Sequence, residues 1–95
     1  MSSVIKTFRH RGLKRFFEQE DPGKIRADQV SRIADVLAHL DQALRPADLN
    51  LPGYRLHRLR GDREGEWAVS VSGNWRLVFE FDGEDATDVD LVDYH

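Results

Sequence analysis

Three groups able to move protons close the sequence: Asp93, Tyr94 and His95. A fourth, His57, sits in an arginine-rich stretch with Arg55, Arg58, Arg60 and Arg63. Arg76 interrupts the apolar alternation of "WRLVFEF". Imidazole titrates near neutral pH and can take or give a proton. A guanidinium keeps its proton and can only stabilise negative charge. Two imidazoles, a phenol, a carboxylate and several guanidinium groups on one polar face would suit RNA cleavage without a metal. That reaction needs a base for the ribose 2′-OH, an acid for the leaving 5′-oxygen, and cations for the pentavalent phosphorane. Taken singly, His57 reads as an ordinary half-exposed histidine and Arg76 as the ion-pair partner of an acid on the last strand. The terminal Asp-Tyr-His, taken singly, reads as a solvated tail. The chemistry requires that they meet, with the end of the chain pinned rather than frayed.

The elements that must bring them together show in the hydrophobic periodicity. Residues 4–8, "VIKTF", suit a short strand. Leu13, Phe16 and Phe17 then fall at helical spacing, and Pro22-Gly23 stops that helix. From about 26 to 43 the apolar residues Val30, Ile33, Ala34, Leu37, Leu40 and Leu44 form the strongest helical stripe, closed by Pro46. The period then changes to two. "YRLHRL" is a short strand and "EWAVSVS" alternates. Gly73-Asn74 has the form of a tight hairpin, and "WRLVFEF" puts Trp75, Leu77, Phe79 and Phe81 on one face. "DGED" turns again into "ATDVDLVDYH", with Val89 and Leu91 inward. The expected architecture is α+β, in the order β-α-α-β-β-β-β. Two helices cover one face of a mostly antiparallel sheet, and the other face is left open for chemistry. Asp93 and His95 alternate to one side of the last strand and Tyr94 to the other, unless a bulge re-aims them.

Ninety-five residues allow one domain, 1–95, with one modest core. With 40% hydrophobic and 33% charged residues the chain is globular, and no run is long enough to span a membrane. Nothing at the start resembles a signal peptide, so a cytoplasmic protein is expected. There is no cysteine, and the four histidines lack zinc-ligand spacing, so no metal or other cofactor is expected. His10 and His39 carry no chemical argument. The net charge of −3 conceals a division. Residues 1–76 hold all 14 Lys and Arg with 10 of the 17 acids, and residues 77–95 hold the other 7 acids. Five bases within 6–15 (Lys6, Arg9, Arg11, Lys14, Arg15) have no acid among them, and four arginines fall within 55–63. Both runs are candidate phosphate contacts.

"FRHRGLKRFFE", "LHRLRGDREGEWAVSVSGNWRLVFEF" and the terminal "DYH" together resemble the HigB-type toxins of the RelE/ParE superfamily, over nearly the whole chain. The resemblance implies a small RelE-like microbial RNase fold and ribosome-dependent cleavage of mRNA. It also implies a cognate HigA-like helix-turn-helix antitoxin that contacts DNA in its own right. Carried over residue by residue, it implies catalytic roles for His57, Asp93, Tyr94 and His95, and phosphate contacts from Arg60 and Arg76; Arg55, from the same arginine run, is a further candidate cation. His57 or His95 is the base, the other or Tyr94 the acid, and Asp93 orients an imidazole. Where the family often has Lys, this chain has Arg60, whose role is therefore electrostatic only. Two alternatives share the fold: a ParE-like gyrase-inhibiting toxin, and a non-catalytic module that only binds its antitoxin.

Overall fold

The computed structural model describes residues 5–94. Helix α1 spans Arg11–Gln19. His10 caps its start by accepting the Leu13 amide on Nδ1 at 3.1 Å. Its end turns left-handed at Glu20 (φ 55), whose amide donates to the Phe16 carbonyl at 2.9 Å. A 3-10 turn over Ala27–Gln29 leads into helix α2, Val30–Gln42. The buried stripe of α2 is Ile33, Val36, Leu37 and Leu40. Three residues of the expected stripe lie outside it: Val30 is half-buried, Ala34 is exposed, and Leu44, 53% exposed, falls beyond the helix end. The Leu44 amide donates instead to the Asp48 carboxylate at 2.9 Å, and that bond holds the Asp48 carboxyl below its ordinary value.

Four antiparallel strands follow: β1 (His57–Arg58), β2 (Trp67–Ser72), β3 (Trp75–Asp82) and β4 (Asp85–Asp93). They lie in the sheet order β1-β2-β3-β4. Gly73 takes φ +52 at the first central position of the β2–β3 hairpin, where left-handed backbone is required. The segment expected as the first strand is reduced to two parallel bridges along the outer edge of β4, Ile5 with Ala86 and Phe8 with Val89. Val4, at the head of that expected strand, lies outside the described residues.

One face of the sheet is the core. Val69, Val71, Leu77, Phe79, Ala86 and Val89 pack against Leu13 of α1 and the stripe of α2. Bulges make this possible. Between Val78 and Glu80 the β3–β4 register shifts by one residue, and Asp88 takes φ +53. Ala86 and Val89, three apart, therefore both point inward, and Asp88 and Asp90 go to the opposite face. A second shift between Ser70 and Ser72 brings Ser72 opposite Trp75, on the core side. Gln29, fully buried, ties the start of α2 to β2 by donating to the Ser72 hydroxyl at 2.9 Å. The end of the chain is tied down as far as the described residues go. Asp93 pairs with Trp75, and the Tyr94 amide donates to the Asn74 carbonyl at 2.9 Å.

Candidate active site on the open sheet face

Partners in an antiparallel ladder share a face, so the register places the side chains. His57, Ala68, Val78 and Asp90 form one row across all four strands. Ser70, Arg76 and Val92 form the next. Strand alternation adds Tyr94 to the same face as Val92 and puts Asp93, paired with Trp75, on the helix side. His57, Arg76 and Tyr94 thus lie on one face of the sheet, and Asp93 on the other. His95 lies outside the described residues. The middle of the first row is apolar and closed to solvent: Ala68 and Val78 are both 0% exposed although neither belongs to the core cluster.

Around His57 the strand opens into a hollow of about 530 Å³ lined by His57, Arg58, Leu59, Arg60, Gly61 and Glu64. Arg60 lies at the mouth of the short 3-10 turn Gly61–Arg63, whose Gly61 takes φ +70. Arg58 stacks its guanidinium 5.5 Å from the Trp67 ring. Arg58 belongs to the arginine run at 55–63 expected to contact phosphate.

The orientation of the His57 ring is set by backbone. Arg55 adopts φ +53, a left-handed conformation that costs a non-glycine residue about 1–2 kcal/mol. Its carbonyl lies 2.9 Å from His57 Nδ1. A carbonyl can only accept, so Nδ1 carries the proton and donates, which leaves Nε2 with its lone pair as the proton acceptor. The turn that aims this carbonyl is fastened on both sides. The Tyr54 carbonyl accepts the Ser70 amide at 2.7 Å, and Arg32 of α2 donates to the Gly53 carbonyl at 2.6 Å. Arg32 also lies 4.8 Å from the Tyr54 ring centroid. The Tyr54 hydroxyl sits 3.0 Å from His39 Nδ1, and burial pushes its pKa up, with Asp35 adding to the rise.

Arg76 makes no ion pair among the described residues. Its Nη1 donates to the carbonyls of Gly73 at 2.9 Å and Trp75 at 3.1 Å. Nε and Nη2 are left for another acceptor. Arg55 shows its carbonyl at the site, while its guanidinium does not line the hollow.

The far end of the open face is acidic, where Glu80 and Asp88 of the acid-rich 77–95 stretch meet Glu66. Glu66, 5% exposed, faces Arg63 at 3.4 Å and Arg9 at 3.9 Å, and Arg9 also lies 3.7 Å from Asp88. A hydrogen bond to Asp88, then burial, then the charges of Asp88 and Glu66 hold the Glu80 carboxyl above its ordinary value. A raised carboxylate favours the folded state below its unfolded pKa, and that contribution is lost as pH rises through the folded value. Glu80→Gln keeps a donor toward Asp88 and removes the repulsion. It should stabilise the fold near neutral pH by up to about 1 kcal/mol and give no gain at acid pH, measured by denaturant unfolding across pH. Equal stabilisation at both ends of the pH range would contradict the shared proton. Among the described residues no set of three or more His, Asp or Glu side chains converges as a metal site.

Residues 6–95 match the family described as the RelE-like toxin of the type II toxin-antitoxin system HigB. The chain belongs to this HigB-like toxin family. It is 44% identical over 92 residues to the endoribonuclease HigB of Proteus vulgaris, an alignment covering 97% of this chain and 100% of that protein. The two-helix, four-strand α+β architecture accords with a RelE-like fold. As a type II toxin it is one half of a pair whose other member is an antitoxin. Among the described residues no helix is long and apolar enough to cross a membrane.

Proposed function

We propose that this toxin is an endoribonuclease that cleaves mRNA on the ribosome, in the cytoplasm, and is neutralised by a HigA-like antitoxin. The activity follows that of its relative from Proteus vulgaris. One observation carries the mechanism: an imidazole with Nε2 free sits in a cationic hollow beside Arg58 and Arg60. His57 Nε2 takes the proton of the ribose 2′-OH. The 2′-oxygen attacks the adjacent phosphorus, the bond from phosphorus to the 5′-oxygen breaks, and that oxygen takes a proton from Tyr94 or His95. The products are a 2′,3′-cyclic phosphate and a 5′-OH.

Arg58, Arg60 and Arg76 stabilise the charge that builds on the phosphorane. Arg76 suits that role because two hairpin carbonyls already fix its Nη1. Asp93, on the opposite side of the strand from Tyr94, is assigned to positioning the chain end rather than to contact with RNA. The test is to add the purified toxin to translating ribosomes and map the new mRNA ends. A 5′-OH and a cyclic phosphate are expected. Ends bearing a 5′-phosphate would exclude attack by the 2′-OH.

A further inference from the structure

The carbonyl that orients His57 belongs to a strained residue, and left-handed backbone outside glycine persists only where its surroundings hold it. The Tyr54 carbonyl accepts the Ser70 amide at 2.7 Å, and His57 pairs with Ala68. From Tyr54 to His57 the chain takes three steps where β2, from Ser70 to Ala68, takes two. Arg55, at φ +53, is the extra residue of a bulge, a device that re-aims the groups beside it. Just before the bulge the chain reverses at Pro52-Gly53. The Tyr54 amide donates to the Leu51 carbonyl at 3.0 Å, and Gly53 takes φ +83. Proline second and a left-handed glycine third give the form of a type II turn.

Arg32 of α2 sits on this turn. No backbone amide bonds to the Gly53 carbonyl among the described residues, and Arg32 Nη2 donates to it at 2.6 Å. A Cβ on Gly53 would lie 3.4 Å from that same Nη2, so the guanidinium lies against the bare glycine. Its central carbon stands 4.8 Å from the Tyr54 ring centroid. One guanidinium therefore grips both residues that precede Arg55, Gly53 by its carbonyl and Tyr54 by its ring. The root of the clamp is fixed. Gln29, three residues earlier and fully buried, donates to the Ser72 hydroxyl of β2 at 2.9 Å. The Tyr54 ring is held on another side by His39, edge-on at 5.7 Å with the hydroxyl 3.0 Å from Nδ1. Arg32 makes no ion pair among the described residues, so its guanidinium is committed to the turn.

The geometry points to Arg32 as a positioning residue for RNA cleavage. Its clamp on Gly53 and Tyr54 holds Arg55 left-handed, and the Arg55 carbonyl, 2.9 Å from His57 Nδ1, keeps the ring proton there. Released from the clamp, Arg55 relaxes to ordinary backbone and its carbonyl leaves Nδ1. The imidazole then turns and samples both tautomers, and the form with its proton on Nε2 cannot act as the base. This rests on the reading of His57 as the base and extends it to a helix residue outside the hollow around His57.

The experiment compares the parent with Arg32→Ala, Arg32→Met and Arg32→Lys. Cleavage of ribosome-bound mRNA gives kcat and KM. In Arg32→Ala kcat should fall by about 10–100-fold with KM little changed, the signature of a displaced catalytic group. Arg32→Met keeps an apolar stem over Tyr54 but cannot donate, and should lose as much. Arg32→Lys keeps a charged donor and should recover most of the rate. The second readout needs no substrate. Ring nitrogen shifts of His57 are recorded in the free proteins at alkaline pH, where the ring is neutral. Parent and Arg32→Lys should hold the proton on Nδ1, and Arg32→Ala and Arg32→Met should show a mixture of the two tautomers. A loss of general stability alone would not move that ratio in the folded protein.

A proton fully on Nδ1 in Arg32→Ala would overturn the inference, whatever the rate. So would a raised KM with kcat unchanged, which would make Arg32 an RNA contact. Parental cleavage by His57→Ala would sink the base reading alone, because the ring shifts still report whether Arg32 sets the tautomer.

Discussion

His57→Ala is expected to slow mRNA cleavage by roughly 10²–10⁴-fold, the range for removal of a positioned general base, with binding to the ribosome little changed. The base assignment depends on a tautomer, and the tautomer depends on the Arg55 carbonyl 2.9 Å from Nδ1. A paired substitution tests that dependence. Arg55→Gly keeps the carbonyl and relieves the left-handed strain at φ +53, so it should keep the cleavage rate within a few-fold of the parent. If the Arg55 side chain instead held phosphate, the same change would weaken substrate binding and lower kcat/KM without altering kcat at saturation. Nitrogen chemical shifts of the His57 ring give a readout independent of activity, with the proton expected on Nδ1 in both the parent and Arg55→Gly. A proton on Nε2 would remove the acceptor and with it the base, whatever the kinetics showed.

This tautomer could not have been read from the residues in order. Left-handed backbone at a non-glycine position leaves no mark in composition, and both Arg55 and Asp88 are of this kind. Asp88 matters most for the fold. Strict alternation along "ATDVDLVDYH" predicts inward Val89 and Leu91 but cannot say that Ala86, three residues before Val89, is inward too. The bulge adds the missing residue. The same bulge carries Asp88 to Glu80 and creates the acidic end of the open face, a contact between residues on neighbouring strands that no local pattern encodes. By contrast, the β2–β3 hairpin, the inward face of β3 and the existence of both helices followed directly from period and turn chemistry. Gly73 has one natural role between two alternating runs, and four apolar residues at spacing two leave little choice of face.

The site divides in the same way. His57, Arg58 and Arg60 were legible as a dense run of charged and polar groups around a short strand, and all three line one hollow although the register turns Arg58 toward Trp67. Arg76 was legible as an outward arginine in mid-sheet. Among the described residues it makes no ion pair with the last strand, and its Nη1 donates to the carbonyls of Gly73 and Trp75 instead. Tyr94 reaches the His57 face only because β4 stays regular from Asp90 onward, so the even positions keep one side. Asp93 is consequently turned to the side of the strand opposite Tyr94.

Phe79→Ala should cost about 3–5 kcal/mol, the largest stability effect of any single truncation in this core. The side chain is 0% exposed, lies among the apolar residues between sheet and helices, and packs edge-on against Phe81 at 5.9 Å. A chain of this size has roughly 5–15 kcal/mol of total stability, so the variant should sit near the edge of folding at physiological temperature. The comparison that gives the number meaning is Val78→Ala, one residue away. Val78 is equally buried but lies on the other face, in the ladder row of His57 and Asp90 and outside the core cluster. Its truncation removes two methyl groups' worth of contact and should cost about 1–2 kcal/mol. The two variants should also differ in activity. Phe79→Ala protein that is kept folded at low temperature should cleave at close to the parental rate per folded molecule, because Phe79 points away from the RNA face. Val78→Ala alters the floor between His57 and Asp90 and should reduce cleavage despite its smaller stability cost. Denaturant unfolding paired with cleavage assays measures both effects. If Val78→Ala proved the more destabilising and Phe79→Ala the more damaging to catalysis, the assignment of the two sheet faces, and every site residue placed by it, would have to be reversed.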